Sequence, residues 1–351
     1  MSNIRSRRYD IDALRVIAIG LLLIYHTAIG FQGWGTMIGF ITNDTSLPAL
    51  RSVMAIINIW RIPLLFFVSG MGVYFALQNR TWKQLFIKRG RRIFIPFIFG
   101  SLVIVPIHIF ILQSYYSLKL TYFPNPGHLW FLGNIFLYVI LLFPIFNYLK
   151  KNADGKIVQA IIRILSSPFG LLAVIGIFMI ETICTKPAIF ELYAMTWHGF
   201  FMGMIAFFFG FCFVMSGSVF WDMLLKWRYW LLALAIILFM NRFLAPQMKV
   251  HTLLLVIESN LWIFSVFALG YKYLNHNSKG LRILNEAVYP IFIVHMIVLY
   301  SISYWIFPMG TGVWLKFIFV FIGTVLGSFG LFLFIKKVRF IRPLFGLNIV
   351  F

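Results

Sequence analysis

The chain has 351 residues, 62% of them apolar or aromatic and only 11% charged. A soluble domain carries about 45–50% apolar and about 25% charged residues. A soluble enzyme, a nucleic-acid-binding module and a disordered scaffold are therefore excluded, in spite of a formal net charge of +21. Mean hydropathy of +0.93 agrees, and two cysteines supply neither a disulfide framework nor a metal cluster.

A membrane-spanning helix needs about 20 mostly apolar residues. Ten segments qualify, at roughly 11–31, 53–77, 93–113, 129–149, 168–184, 198–216, 229–245, 252–274, 287–307 and 313–335. No stretch between them is long enough for a soluble domain, and no repeat or low-complexity linker interrupts them. The prediction is one all-α domain over residues 1–351, a polytopic bundle of about ten transmembrane helices. Lys and Arg accumulate in cytoplasmic loops. With the N-terminus placed inside, 23 of the 30 basic residues fall on the cytoplasmic side. The other seven are Arg51, Arg61, Lys119, Lys186, Arg242, Lys249 and Lys316. This asymmetry predicts that both termini are cytoplasmic. It also explains the basic excess by topology, so no nucleic-acid partner is implied.

The first span follows Arg5, Arg7 and Arg8, as a signal peptide would, but it contains Asp12, Arg15 and His26 and has no small-residue cleavage site. It reads as a retained helix. Arg15 and His26 are eleven residues apart. At about 100° and about 1.5 Å per residue, they share a face and lie roughly 16 Å apart along the axis. That arrangement suits a long ligand, with an anionic end at Arg15 and a reactive end at His26. A structural histidine and a snorkelling arginine fit the same spacing. An ionisable group within a span costs about 2.5–3.5 kcal/mol on insertion scales. Nine fall within these spans: Asp12, Arg15, His26, Arg61, Glu181, Arg242, Glu258, Glu286 and His295. So many imply a polar interior, which means a catalytic cavity or a transport path.

The second span carries Arg61, Pro63, Ser69 and Gly70. A buried guanidinium needs an acceptor, either substrate or a carboxylate such as Glu258 or Glu181. Arg89 and Arg92 precede the third span at i and i+3, on one side of a helix start. Two guanidiniums there suit a phosphate or diphosphate; on this cluster alone plain positive-inside charge is the better explanation, and only combination with Arg15 shifts the balance. The fourth span opens with His128 and Trp130, an acceptor-side hydrogen-bonding group and an aromatic. Cys184 and Cys212, in the fifth and sixth spans, sit at different depths, so no disulfide is expected. Glu258 in the eighth span lies at a depth comparable to His26 and is a candidate partner for His26 or Arg61. His295 in the ninth reads as nearer the cytoplasmic half, where a channel-lining group and a plain interhelical hydrogen bond fit equally. The usual signals of serine hydrolases, nucleotide hydrolases and zinc enzymes are absent.

Taken in order, these motifs resemble the acyltransferase-3 family of integral membrane acyltransferases. Asp12-x-x-Arg15 with Arg15-x10-His26 is similar to its opening helix. Arg61 through Phe66-Phe67-x-Ser69-Gly70 is similar to its second-helix motif, and Arg89-x-x-Arg92 with Pro96 to its third-helix entrance. His128-Leu-Trp-Phe-Leu and Glu286-Ala-Val-Tyr-Pro-Ile-Phe-Ile-Val-His295 resemble the branch containing the glucan succinyltransferases and carbohydrate O-acetyltransferases. The resemblance spans nearly the whole chain. It implies transfer of a small acyl group, acetyl or succinyl, from cytoplasmic acyl-CoA as co-substrate to an extracytoplasmic carbohydrate or glycolipid, without a metal. By the same resemblance, His26 is the essential histidine, acting as base or acyl carrier. Arg15, Arg89 and Arg92 hold the donor, with His295 along its channel. Outside the resemblance, Arg61 or Ser69 is a candidate to stabilise the developing oxyanion, Glu258 is a further catalytic candidate, and Asp12, His128 and Trp130 are substrate-binding candidates. A glutamate that many members carry after the fourth-helix tryptophan is missing, since Phe131, Leu132 and Asn134 follow Trp130. The implied setting is the lipid bilayer of a bacterial inner membrane, with a glycan synthase as a possible partner. The rival readings are a transporter or flippase for an anionic or glycan-linked substrate, which lacks an inverted repeat, and a purely structural subunit.

Overall fold

In the computed structural model, residues 7–78 and 80–348 are described; Arg5, one of the basic residues expected inside, lies outside them. All regular structure among the described residues is helical. In lipid the backbone must satisfy its own polar groups, and a chain this apolar does so as helices. Among the described residues, ten helices are long and apolar enough to cross a membrane. They are α1 (Tyr9–Ile29), α2 (Leu50–Gln78), α3 (Trp82–Tyr115) and α4 (Trp130–Lys151), then α6 (Pro168–Thr185) and α7 (Trp197–Met215). The series ends with α8 (Gly217–Leu244), α9 (Thr252–Tyr273), α10 (Lys279–Ile306) and α11 (Val313–Lys337). Between α4 and α6 lies a short amphipathic helix, α5 (Lys156–Leu165), which hydropathy alone does not predict.

Several helices outrun the apolar core of their spans, because polar ends continue the same helix. Thus α3 starts at Trp82 rather than near residue 93 and takes in the whole basic cluster. Likewise α8 starts at Gly217 and α10 at Lys279. Within α3, residues Gly90–Phe94 and Gly100–Ile104 are π-helical. Each precedes a proline, Pro96 or Pro106, whose missing N–H and ring disturb the preceding turn.

The contacts fall into two units. The first contains residues up to Ala18, Ile59–Leu85 and Leu137–Asn285. There α6 packs on α7 and α9, α8 packs along α9, and α5 packs on α6 and α7. Helices α2 and α7 meet through small residues: a Cβ on Gly70 would overlap the Phe207 carbonyl, and one on Gly210 would overlap that of Phe67. Such reciprocal close approach is how membrane helices associate where lipid removes the hydrophobic drive. Pro63 cannot bond the Ile59 carbonyl four residues back. That oxygen instead accepts from Ser259 Oγ at 2.8 Å and Tyr193 Oη at 3.1 Å. The proline thereby ties α2 to α9 and to the loop before α7.

The second unit contains Ile19–Asn58, Phe86–Phe136 and Glu286–Phe351. The loop after α1 folds back over a cluster of Phe31, Phe40, Ile41, Leu299, Tyr300 and Phe307. Pro106 repeats the device of Pro63: its unmatched acceptor, the Leu102 carbonyl, takes the Tyr122 hydroxyl at 2.9 Å.

Candidate active site

The second unit gathers four imidazoles. His26 lies in the last turn of α1, His295 in the middle of α10, His128 in the 3-10 turn Gly127–Leu129 that leads into α4, and His108 on α3. His26 Nδ1 is 2.9 Å from His295 Nε2, and the two rings stack at 5.1 Å. His295 is fully buried, and its Nδ1 is 2.8 Å from the Phe292 carbonyl. His128 stands edge-on to His295 at 5.0 Å and places Nε2 3.2 Å from the Ile293 carbonyl. The His108 ring lies 5.7 Å from that of His128 and 5.2 Å from Tyr300. Phe40 covers His26 edge-on, and Tyr300 donates its hydroxyl to the Gly39 carbonyl.

The hydrogen bonds assign the protons. A carbonyl only accepts, so His295 donates from Nδ1, and in the neutral ring Nε2 is then an acceptor. His26 therefore donates from Nδ1, and its Nε2 carries the lone pair. A chain running from the Phe292 carbonyl through His295 to His26 thus fixes which nitrogen of His26 is basic. It has the logic of a base oriented by a third group, with an imidazole in place of a carboxylate. Among the described residues no cluster of His, Cys, Asp and Glu is arranged to hold a metal ion.

The placement of His295 corrects the sequence expectation. A span starting near 287 puts His295 toward the cytoplasmic half. Since α10 starts at Lys279, His295 is sixteen residues into the helix and level with His26. His108 was missed altogether; its signal was present, as a fourth histidine inside an apolar run. Trp130 is buried at the start of α4, edge-on to Phe131.

The basic cluster also departs from expectation. Arg89 closes an α-helical segment, and Arg92 lies in the π-turn that follows. Hydrogen bonding to i+5 widens the turn, so the two residues are not spaced around the axis as α-helical i,i+3 neighbours are. Arg92 is exposed and Arg89 half-buried.

In the first unit, groups assigned to catalysis or substrate have protein partners. Glu258, expected beside His26 or Arg61, is bound by Arg242 through Nε at 2.8 Å and Nη2 at 2.7 Å. Arg242 lies near the end of α8, which packs along α9, so the acid meets it first. Glu181 pairs with His198 at 3.0 Å, a histidine on α7 that the sequence reading passed over. Ser69 donates to the Leu65 carbonyl of its own helix at 2.7 Å, which holds its proton in the helix. Asp12 accepts from Arg7 at 2.7 Å and from Arg15 at 3.4 Å, and Arg15 also reaches Asn285 at 3.2 Å. Arg61 is buried on α2, two residues past the carbonyl shared by Ser259 and Tyr193. In the second unit, Glu286 pairs with Lys336 at 2.6 Å. Asp12, Arg15, His26, Glu181, Arg242, Glu258, Glu286 and His295 therefore each have a side-chain partner. Both cysteines are free thiols.

The chain matches the family model of the acyltransferase-3 group, an acyltransferase domain, over residues 8–333, and it belongs to that family. No curated protein and no solved structure matches it. The fold and the family together define a multi-pass membrane acyltransferase.

Proposed function

We propose that the protein transfers a small acyl group, acetyl or succinyl, from acyl-CoA to a hydroxyl of an extracytoplasmic glycan or glycolipid. In this reading His26 is the general base. The observation that carries it is the hydrogen-bonded chain from the Phe292 carbonyl through His295 to His26. With Nδ1 engaged, His26 Nε2 takes the proton of the acceptor hydroxyl as its oxygen attacks the thioester carbon. The carbon–sulfur bond then breaks, and Nε2–H returns the proton to the departing CoA thiolate. The charge that develops on His26 is shared through Nδ1 with His295, which orients the base and does not touch the reacting atoms.

Donor phosphates are assigned to the Arg89–Arg92 end of α3, the helix that carries His108 sixteen residues further on. That separation is roughly 24 Å at α-helical rise, a distance an extended pantetheine arm suits. The basic residues favour an orientation with both termini cytoplasmic, which puts the donor inside and His26 in the outer half of a bacterial inner membrane. A glycan synthase would then supply the acceptor.

The test uses purified protein in liposomes with acetyl-CoA or succinyl-CoA and a panel of glucans, following CoA thiol release and acyl-glycan formation. His26→Gln should fold and bind donor, yet lose about 10²–10⁴-fold in rate. Near-normal transfer by that variant would refute the assignment and favour transport instead.

A further inference from the structure

The helix that hydropathy missed, α5, presents three different stripes. Val158, Ile162 and Leu165 face inward, where α5 packs on α6 and α7. Ile157, Ala160 and Ile164 form a second stripe, and the two isoleucines are 56% and 52% exposed. Lys156, Gln159 and Arg163 form a third, fully exposed stripe. At about 100° per residue these stripes follow one another around the helix in the order polar, exposed apolar, buried. A helix in water would not expose two isoleucines beside the packed face. A helix within the bilayer core would not carry Lys156 and Arg163.

Membrane spans lie on either side: α4 ends at Lys151 and α6 starts at Pro168. With four residues before α5 and two after it, the helix is tethered to the surface of the leaflet. Amphipathic helices with this division lie in the interface, apolar side among acyl chains and basic side among headgroups. The charge on the segment is one-sided. From Lys150 to Arg163 there are four basic residues and one acid, Asp154. Lys150 is engaged by the Leu77 carbonyl, which leaves Lys151, Lys156 and Arg163 exposed along the surface.

We propose that α5 is a binding site for acidic phospholipid headgroups, with Lys151, Lys156 and Arg163 meeting the phosphates and Ile157 and Ile164 seated among the acyl chains. This is independent of the acyl-transfer reading, because it rests on the surface of the first unit alone.

The experiment attaches a bimane through Ala160→Cys in a Cys184→Ser background. The full-length protein is reconstituted in phosphatidylcholine vesicles with a small, equal fraction of brominated phosphatidylglycerol or brominated phosphatidylcholine. Quenching by the acidic lipid should exceed quenching by the zwitterionic one. The preference should fall towards one in Lys156→Gln/Arg163→Gln, by about fivefold for each cation removed, and be unchanged in Gln159→Ala. Equal quenching by both lipids would overturn the proposal and reduce the cations to topology signals. Absence of quenching by either lipid would overturn it too, by removing α5 from the leaflet.

Discussion

Replacing His295 with Leu tests the proposed chemistry most directly, because the structure makes this residue a positioning group. His295 Nε2 accepts from His26 Nδ1 at 2.9 Å, and its own Nδ1 is held 2.8 Å from the Phe292 carbonyl. Leucine keeps the volume and removes the acceptor. A buried donor that loses its acceptor costs about 1–3 kcal/mol. If that cost falls on the transition state, where Nδ1 carries developing charge, kcat drops about 5- to 150-fold, at about 1.4 kcal/mol per tenfold. KM for acyl-CoA should move less than about twofold, since His295 does not contact the donor phosphates in this scheme. Glutamine can place an amide oxygen where Nε2 stood, so His295→Gln should recover a large part of the loss. The double variant His26→Gln/His295→Leu should be no slower than His26→Gln alone, because the two residues act as a unit. The assay is thiol release in proteoliposomes, with melting temperature and donor binding measured on each variant. Additive losses, or a leucine variant at the wild-type rate, would refute the orienting chain.

Arg89→Ala and Arg92→Ala should each weaken acyl-CoA binding by about 1.5–3 kcal/mol if they meet donor phosphates, whereas Lys83→Ala should do little; equal small effects in a binding titration would reduce the cluster to topology. Cysteines introduced in the Arg80–Arg92 stretch should resist impermeant reagents added from outside, as the positive-inside pattern requires. Glu258→Gln should lower the melting temperature by leaving Arg242 only the more distant Glu191 carboxylate at 3.9 Å, a loss approaching the about 3–5 kcal/mol of a broken buried pair, while active molecules keep their kcat; a stable but inactive Glu258→Gln would return the acid to catalysis.

The number and type of helices were legible because a span of lipid imposes a length and a polarity that few other segments satisfy. Their ends were not. Stretches that mix charged or polar residues with apolar ones, 82–90, 217–228 and 279–286, continue the helices beyond the apolar runs, so hydropathy stopped short of them. That shortfall moved His295 by two turns and hid its meeting with His26. The π-turns of α3 were readable only in hindsight, from Pro96 and Pro106. The carboxylates were misassigned for a different reason. Glu258 was weighed against Arg61 and His26, but helix pairing decides the partner, and the packing of α8 on α9 gives it Arg242. The motifs that named the family were legible from residue order alone, yet order does not reveal which side chains touch.

The two units manage ionisable groups in different ways, and the difference bears on where chemistry is possible. In the first, carboxylates are matched to basic side chains: Arg8 with Asp10 at 2.6 Å, Glu181 with His198, and Arg242 with Glu258. Such pairs offset their own burial, and each partner is held by the other. A group so engaged is a poor proton acceptor for a reacting hydroxyl, because taking the proton breaks the pair. The cluster in the second unit is built from imidazoles, whose ring contacts include one another and Tyr25, Phe40, Phe292 and Tyr300. A neutral imidazole enters the membrane without the cost of a charge, keeps one nitrogen as an acceptor, and becomes charged only when it takes a proton. With His295 fixing the tautomer, that acceptor is Nε2 of His26. In the proposed reaction, an imidazole whose neutral form is the base, oriented by a second ring, suits acyl transfer inside a bilayer, where an ionised carboxylate would carry a much larger cost of burial.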